Sequence, residues 1–185
     1  MTYDELIETI NSYTIRDDYP VAEFIRRAES YLRTVAKHYL AEKVVTLPVT
    51  GNTVALPSDF REIRAITGTK TYKPVAPMNA TMASDEVGYY RDGARLVLVG
   101  IADAQIGLLY SAAFQDLTPE TSNWLFERFP NVYLAAVLKE FYRWTKDAEG
   151  VSIEQSALQE ALSIVAEDDR RGRVFGTIIA GPSSW

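Results

Sequence analysis

The spacing of apolar residues changes period twice along this chain of 185 residues. Up to about Ala41 they recur every three or four positions, the repeat of one helix face. From Lys43 to about residue 115 they alternate, or fall in short runs cut by glycine and asparagine, the repeat of strands. From Thr118 onward the helical repeat returns. This order predicts an α+β fold: an antiparallel helical bundle of about four main helices, an inserted small antiparallel β domain and an extended C-terminal tail. The expected division is 1–42 and 116–170 for the two parts of the helical body, 43–115 for the β-rich insert and 171–185 for the tail.

Local signals place the elements. Thr2 with Glu5 has capping-box spacing before Leu6, Ile7 and Ile10. Pro20 opens a second helix whose stripe runs Val21, Phe24, Ile25, Ala28, Leu32, Val35 and Tyr39, through about Ala41. Val44, Val45, Leu47 and Val49 lead into a turn at Thr50-Gly51-Asn52, and Asp92-Gly93 marks the clearest hairpin. Five or six strands are expected in all. Thr118-Pro119-Glu120 predicts a short helix start, Pro130 a long helix, and Ser152 with Gln155 the cap of a final helix with the stripe Ile153, Leu158, Leu162 and Val165.

Composition narrows the chemistry. There is no cysteine, so disulfides, thiolate-bound zinc and thiol nucleophiles are excluded. No run of about 18 apolar residues predicts a membrane span, and the acidic, amphipathic first residues are unlike a secretory signal. The net charge of −6 argues against a protein whose main task is gripping nucleic acid. The one histidine, His38, falls on the second helix; it reads as a surface or boundary residue, since base catalysis needs a placed partner. Asp17-Asp18 and Glu167-Asp168-Asp169 lack the alternation of a calcium loop and read as solvated charge. No phosphate-binding glycine motif is present. The aromatic residues Tyr133, Phe141, Tyr142 and Trp144 have helical spacing, and read as core in preference to base-stacking groups. No catalytic residue, cofactor site or metal site is therefore assigned.

Two groups remain as candidates for contact with other proteins. Arg26, Arg27, Arg33 and Lys37 cluster on the second helix and suit an inter-subunit contact with acidic surface. The tail carries Arg171, Arg173, Val174, Phe175, Ile178, Ile179 and Trp185. Burying its apolar side chains stabilises by roughly 1.5–3 kcal/mol each before ordering costs. Two fates achieve that: folding back on its own domain, or docking on another subunit as an added strand or groove filler.

The ordered motifs resemble the head–tail adaptor (connector) proteins of tailed bacteriophages. They are Tyr3-Asp4-Glu5-Leu6-Ile7; Pro20-Val21-Ala22-Glu23-Phe24-Ile25 with Arg26-Arg27-Ala28-Glu29; Leu56-Pro57-Ser58-Asp59-Phe60-Arg61-Glu62-Ile63, the most distinctive; the Tyr89-Tyr90-Arg91-Asp92-Gly93 hairpin; Leu108-Leu109-Tyr110-Ser111; and Phe129-Pro130-Asn131-Val132-Tyr133-Leu134. The likeness spans about residues 2–170. Gly100-Ile101 stands where a Pro-rich step is expected, and the tail after Arg170 has no matching motif.

The resemblance implies a non-enzymatic virion protein of the neck, between capsid and tail. It implies a ring of copies, typically twelve, below the portal protein, with a C-terminal segment reaching toward the portal. It further implies a platform for tail or nozzle proteins and a channel through which genomic DNA passes without sequence-specific binding, with no membrane partner. The alternatives are another neck component such as a tail-completion or nozzle protein, a small-ligand enzyme using His38, and a nucleic-acid-binding domain.

Overall fold

The computed structural model describes residues 1–14, 18–77 and 82–175, with backbone only for 174 and 175. The protein is α+β, with five α-helices and two sheets among the described residues. It divides into two compact units, one made of Met1–Leu40 with the chain from Phe114 onward, the other of Ala41–Ala113.

The first unit holds all five helices. Helix α1, Tyr3–Tyr13, has the expected reciprocal cap: the Glu5 N–H donates to Thr2 Oγ1 and the Thr2 N–H to Glu5 Oε2. Its Leu6 and Ile10, one turn apart, are fully buried. Helix α2, Val21–Val35, buries Phe24, Ile25, Ala28 and Leu32. Helix α3, Trp124–Arg128, starts later than Thr118-Pro119-Glu120 suggests. Asn123 is the cap, its Oδ1 accepting from the Phe126 N–H, while Thr118 and Thr121 close a turn on each other.

Helix α4, Pro130–Thr145, is buried at Val132, Tyr133, Ala135, Ala136, Val137, Leu138 and Phe141. That near-complete girdle marks the central helix, which packs against each of the other four. Tyr133 and Phe141 lie in the core as expected, whereas Trp144 is largely exposed. Lys146, at φ 62°, ends α4 in the left-handed region. Helix α5, Ala148–Phe175, follows after two residues, Lys146 and Asp147, with the Asp147 side chain accepting from the Gly150 N–H. It therefore begins before the Ser152–Gln155 signal, and it continues through Arg171 and Arg173, where an extended tail was expected to start. Leu158 and Val165 are its buried residues; Ile153 lies roughly 140° around the helix from Leu158 and is exposed.

Helix α2 also departs from its stripe, ending at Val35 short of Ala41. The donors that would continue it are captured elsewhere. The Tyr39 N–H goes to Asp169 Oδ1 at 2.6 Å and the Leu40 N–H to His38 Nδ1 at 3.2 Å. Without its i−4 bonds the helix cannot propagate, and Tyr39–Ala41 form a 3₁₀ turn.

Among its described residues the second unit holds seven strands, more than expected. These are β1 Glu42–Pro48, β2 Thr53–Ala55, β3 Phe60–Thr67, β4 Thr71–Pro74, β5 Glu86–Asp92, β6 Arg95–Val99 and β7 Gln105–Ala112. One sheet has the order β1-β7-β3, the other β2-β6-β5-β4. All pairs are antiparallel except β4 with β5, so the unit is not purely antiparallel. Strand β7 buries Ile106, Leu108 and Tyr110 at period two. Two register shifts in β3, between Phe60 and Glu62 and between Ile63 and Ala65, blur its alternation. The β5–β6 hairpin closes through Gly93 at φ 57°, a conformation open to glycine at no steric cost. In the distinctive 56–63 motif, Asp59 fixes a turn: it pairs with Lys43 and accepts from the Tyr110 hydroxyl at 2.9 Å. Burial and that carboxylate push the Tyr110 phenol up to about 12.

A buried carboxylate ties the helical unit together. Glu29, on α2, is 1% exposed. Its Oε1 accepts from the Leu117 N–H at 2.8 Å and the Tyr133 hydroxyl at 3.0 Å, and Arg33 lies 3.6 Å from Oε2. Burial holds the Glu29 carboxyl above its ordinary value of 4.5, despite those donors and Arg33. The native state thus binds the Glu29 proton more tightly than the unfolded chain. Stability from this group is full below 4.5 and is lost as pH rises through the folded value. Relative to Glu29→Gln, which cannot ionise, the wild-type urea-unfolding free energy is expected to decline as pH rises from 4.5. A difference that stays flat or grows with pH refutes this account.

Candidate functional site

The residues proposed from sequence as contacts do not share one surface of the helical unit. Arg26 and Arg27 lie exposed on α2, 70% and 62% by side chain, and share the single Glu23 carboxylate. Arg33 points elsewhere: it pairs with Asp116, approaches Glu29 and lies over the Phe114 ring at 5.1 Å. It thus fastens the segment that follows Ala113. Lys37 is exposed beyond the end of α2. Arg171 and Arg173 occupy the last turns of α5, paired one turn back with Glu167 and Asp169. Arg170 and Arg171 together hold the Glu167 carboxyl down to about 2. The backbone of Val174 and Phe175 completes α5, while Ile178, Ile179 and Trp185 lie outside the described residues.

The distal half of α5 is clasped by the segment after α2. His38 is buried, against the expectation of a surface or boundary residue on the helix. Its Nε2 lies 2.9 Å from Asp168 Oδ2, and its Nδ1 accepts from the Leu40 N–H. The Trp124 ring stacks on the imidazole at 5.1 Å and Phe129 meets it edge-on. Asp168 also takes Arg128 at 2.9 Å, and both partners hold its carboxyl below the usual range. Asp169 takes the Tyr39 N–H and Arg173, which together outweigh its burial and lower it likewise.

Asp168 and Asp169 are thus structural acceptors, which a run of acidic residues does not reveal by itself. With both ring nitrogens engaged and no exposed face, His38 is placed as a fastener and not as a base toward a substrate. Among the described residues no group of three or more His, Asp or Glu side chains is placed to hold a metal ion. Nor, among them, is any helix long and apolar enough to cross a membrane.

Gly172 completes the clasp. A Cβ there would stand 2.1 Å from the Tyr39 ring, so the ring lies against bare helix backbone. Sequence alone reads this glycine as a helix breaker in a tail; its spacing to Asp168 and Asp169, one turn away, is the signal of the notch.

The architecture is that of a protein built to hold its own shape and present surface. The sequence model of the family described as SU10 adaptor protein matches residues 1–178. The chain belongs to that family, a phage head–tail adaptor family, and is a structural adaptor of the virion. This is not a class of enzyme. No curated protein matches the chain.

The clasp makes a direct prediction. Gly172→Ala favours helix by about 1 kcal/mol, yet overpacking against Tyr39 costs about 1–3 kcal/mol. The urea midpoint is expected to fall in Gly172→Ala. In a Tyr39→Ala background the same change is expected to raise it. A gain in both backgrounds dismisses the notch.

Proposed function

We propose that the protein is a head-to-tail adaptor that forms a ring below the portal protein, extends the DNA channel and offers the attachment platform for tail or nozzle proteins. The observation that carries this reading is the reach of the family match, which takes in both units and all five helices up to residue 178. In this reading the helices form one antiparallel bundle and residues 43–115 are its inserted β domain. Copies pack side by side, typically twelve to a ring, in the neck between capsid and tail.

The chemistry of the chain supports such a role. The buried Glu29 and His38 fasten the subunit internally. Apolar side chains stand at the surface, among them Val44, Ile101, Ile153 and Ile164. The net charge of −6 suits a channel that DNA traverses without adhering, since binding to DNA grows with phosphate contacts to cations. The portal contact is assigned to the C-terminal stretch, Arg171, Arg173, Val174, Phe175, Ile178, Ile179 and Trp185. Contact between subunits is assigned to Arg26 and Arg27 on the exposed side of α2, and to Arg33 and Lys37.

The clasp suggests where to cut. Ending the chain at Phe175 removes residues 176–185 and keeps Gly172 against Tyr39. Size-exclusion chromatography with light scattering is expected to show the full chain co-eluting with the portal protein. The shortened chain should retain its helical circular dichroism and urea midpoint but bind at least about tenfold more weakly, a change of about 1.4 kcal/mol. Undiminished binding by the shortened chain removes the tail assignment. No association of the full chain removes the portal reading.

A further inference from the structure

Two exposed faces of the helical unit are complementary to each other in charge and shape. The first is a groove between α2 and α4 lined by Arg27, Ser30, Tyr31, Thr34, Lys139 and Arg143. Arg27 and Arg26 share the Glu23 carboxylate and Arg143 pairs with Glu140, so with Lys139 four cations stand against two carboxylates along this face, in a chain whose net charge is −6. Lys139 lies over the Tyr31 ring at 4.7 Å, and Tyr31 and Val35, one turn apart, are each more than a third exposed.

The second is a ridge on α5. Ile153, Ala157, Glu160 and Ile164 fall within roughly 60° of one another around the helix, with Glu154 at their edge. Ile153 and Ile164 are more than half exposed. Glu154 and Glu160 have no cationic partner among the described residues, and both border an apolar hollow floored by Leu134 and Leu138. Desolvation in that hollow holds the Glu154 carboxyl above its ordinary range, a strain that a cation opposite would relieve.

The faces lie on different sides of the subunit. Helix α4 gives Asn131, Leu134, Ala135 and Leu138 to the hollow beside the ridge, and Lys139, Glu140 and Arg143 to the groove. At 3.6 residues per turn these two sets point roughly 140° apart. Complementary patches so arranged join head to tail, and a two-fold pair would instead bring like charge to like.

We propose that the joint between neighbouring copies is the α5 ridge of one copy seated in the α2–α4 groove of the next, Glu154 and Glu160 meeting Arg27, Lys139 and Arg143, with Ala157 at the centre and Ile153 and Ile164 to either side of Tyr31 and Val35. This rests on the ring reading and specifies its contact. A helix laid in a two-helix groove matches apolar anchors at helical spacing, and the flanking charges set direction and partner.

The chain has no cysteine, so introduced thiols report one contact at a time. Ser30→Cys and Ala157→Cys are small changes at exposed positions. With both in one full-length chain, oxidation during assembly is expected to give a ladder of disulfide-linked multimers; either alone should give none. Thr34→Cys with Ala157→Cys tests the adjoining register. Dimers from Ala157→Cys alone mean a two-fold contact and overturn the proposal. Multimers seen by light scattering with no ladder from either pair overturn the joint and leave the ring standing. No multimers at any concentration, with or without the portal protein, remove both.

Charge exchange gives a second readout. Glu154→Lys with Glu160→Lys, and separately Arg27→Glu with Lys139→Glu, are each expected to raise the concentration needed for assembly at least tenfold. Mixing the two variants in equal amounts should restore it, since each then offers the face the other lacks. Assembly undisturbed in either variant, or not restored on mixing, refutes the joint.

Discussion

One carboxylate oxygen, Oε1 of Glu29, holds three parts of the helical unit in register. It takes the Leu117 N–H from the segment where the chain returns from the β unit, and the Tyr133 hydroxyl from the central helix α4, while belonging itself to α2. Tyr133 is in turn bonded by Asn123, which caps α3 and ties to the Gln115 carbonyl. A buried carboxylate without such donors is strongly unfavourable. The pieces that supply the donors are therefore held to a narrow geometry. The surrounding apolar core, from Leu6 on α1 to Val165 on α5, supplies the larger driving force but is far less particular about position.

The His38–Asp168 contact does the same work for the distal half of α5. Most helices fray at their ends, yet α5 is gripped over its distal turns by Asp168, Asp169 and the notch at Gly172. A helix so anchored presents Arg171 and Arg173 at a defined place. Under the docking role proposed for the C-terminal stretch, a segment that starts from a fixed point loses less entropy on binding than one that starts from a loose end.

Much of this was legible from residues close together in the chain. The Thr2–Glu5 cap, the Pro130 start of α4, the Asp92-Gly93 hairpin and the alternation in β7 are all signals carried within a few positions. The same is true of the family resemblance, which rested on the order of short motifs. What was not legible involved partners far apart. The end of α2 depends on Asp169, 130 residues from Tyr39. The parallel pairing of β4 with β5 leaves no local mark at Lys73-Pro74. Glu29 looked like one more charge on a polar helix face, and Asp168 like one more in an acidic run.

The amino-acid sequence by itself determined the α+β class, the order of helical and strand segments, the absence of thiol chemistry and the family. Those follow from backbone propensity, apolar period and residue type, which act locally. Only the tertiary structure decided which polar side chains are buried, where α2 stops and α5 is gripped, and which charged faces remain exposed. Desolvation decides these, because a carboxylate or imidazole can leave water only where distant segments bring it donors and countercharge.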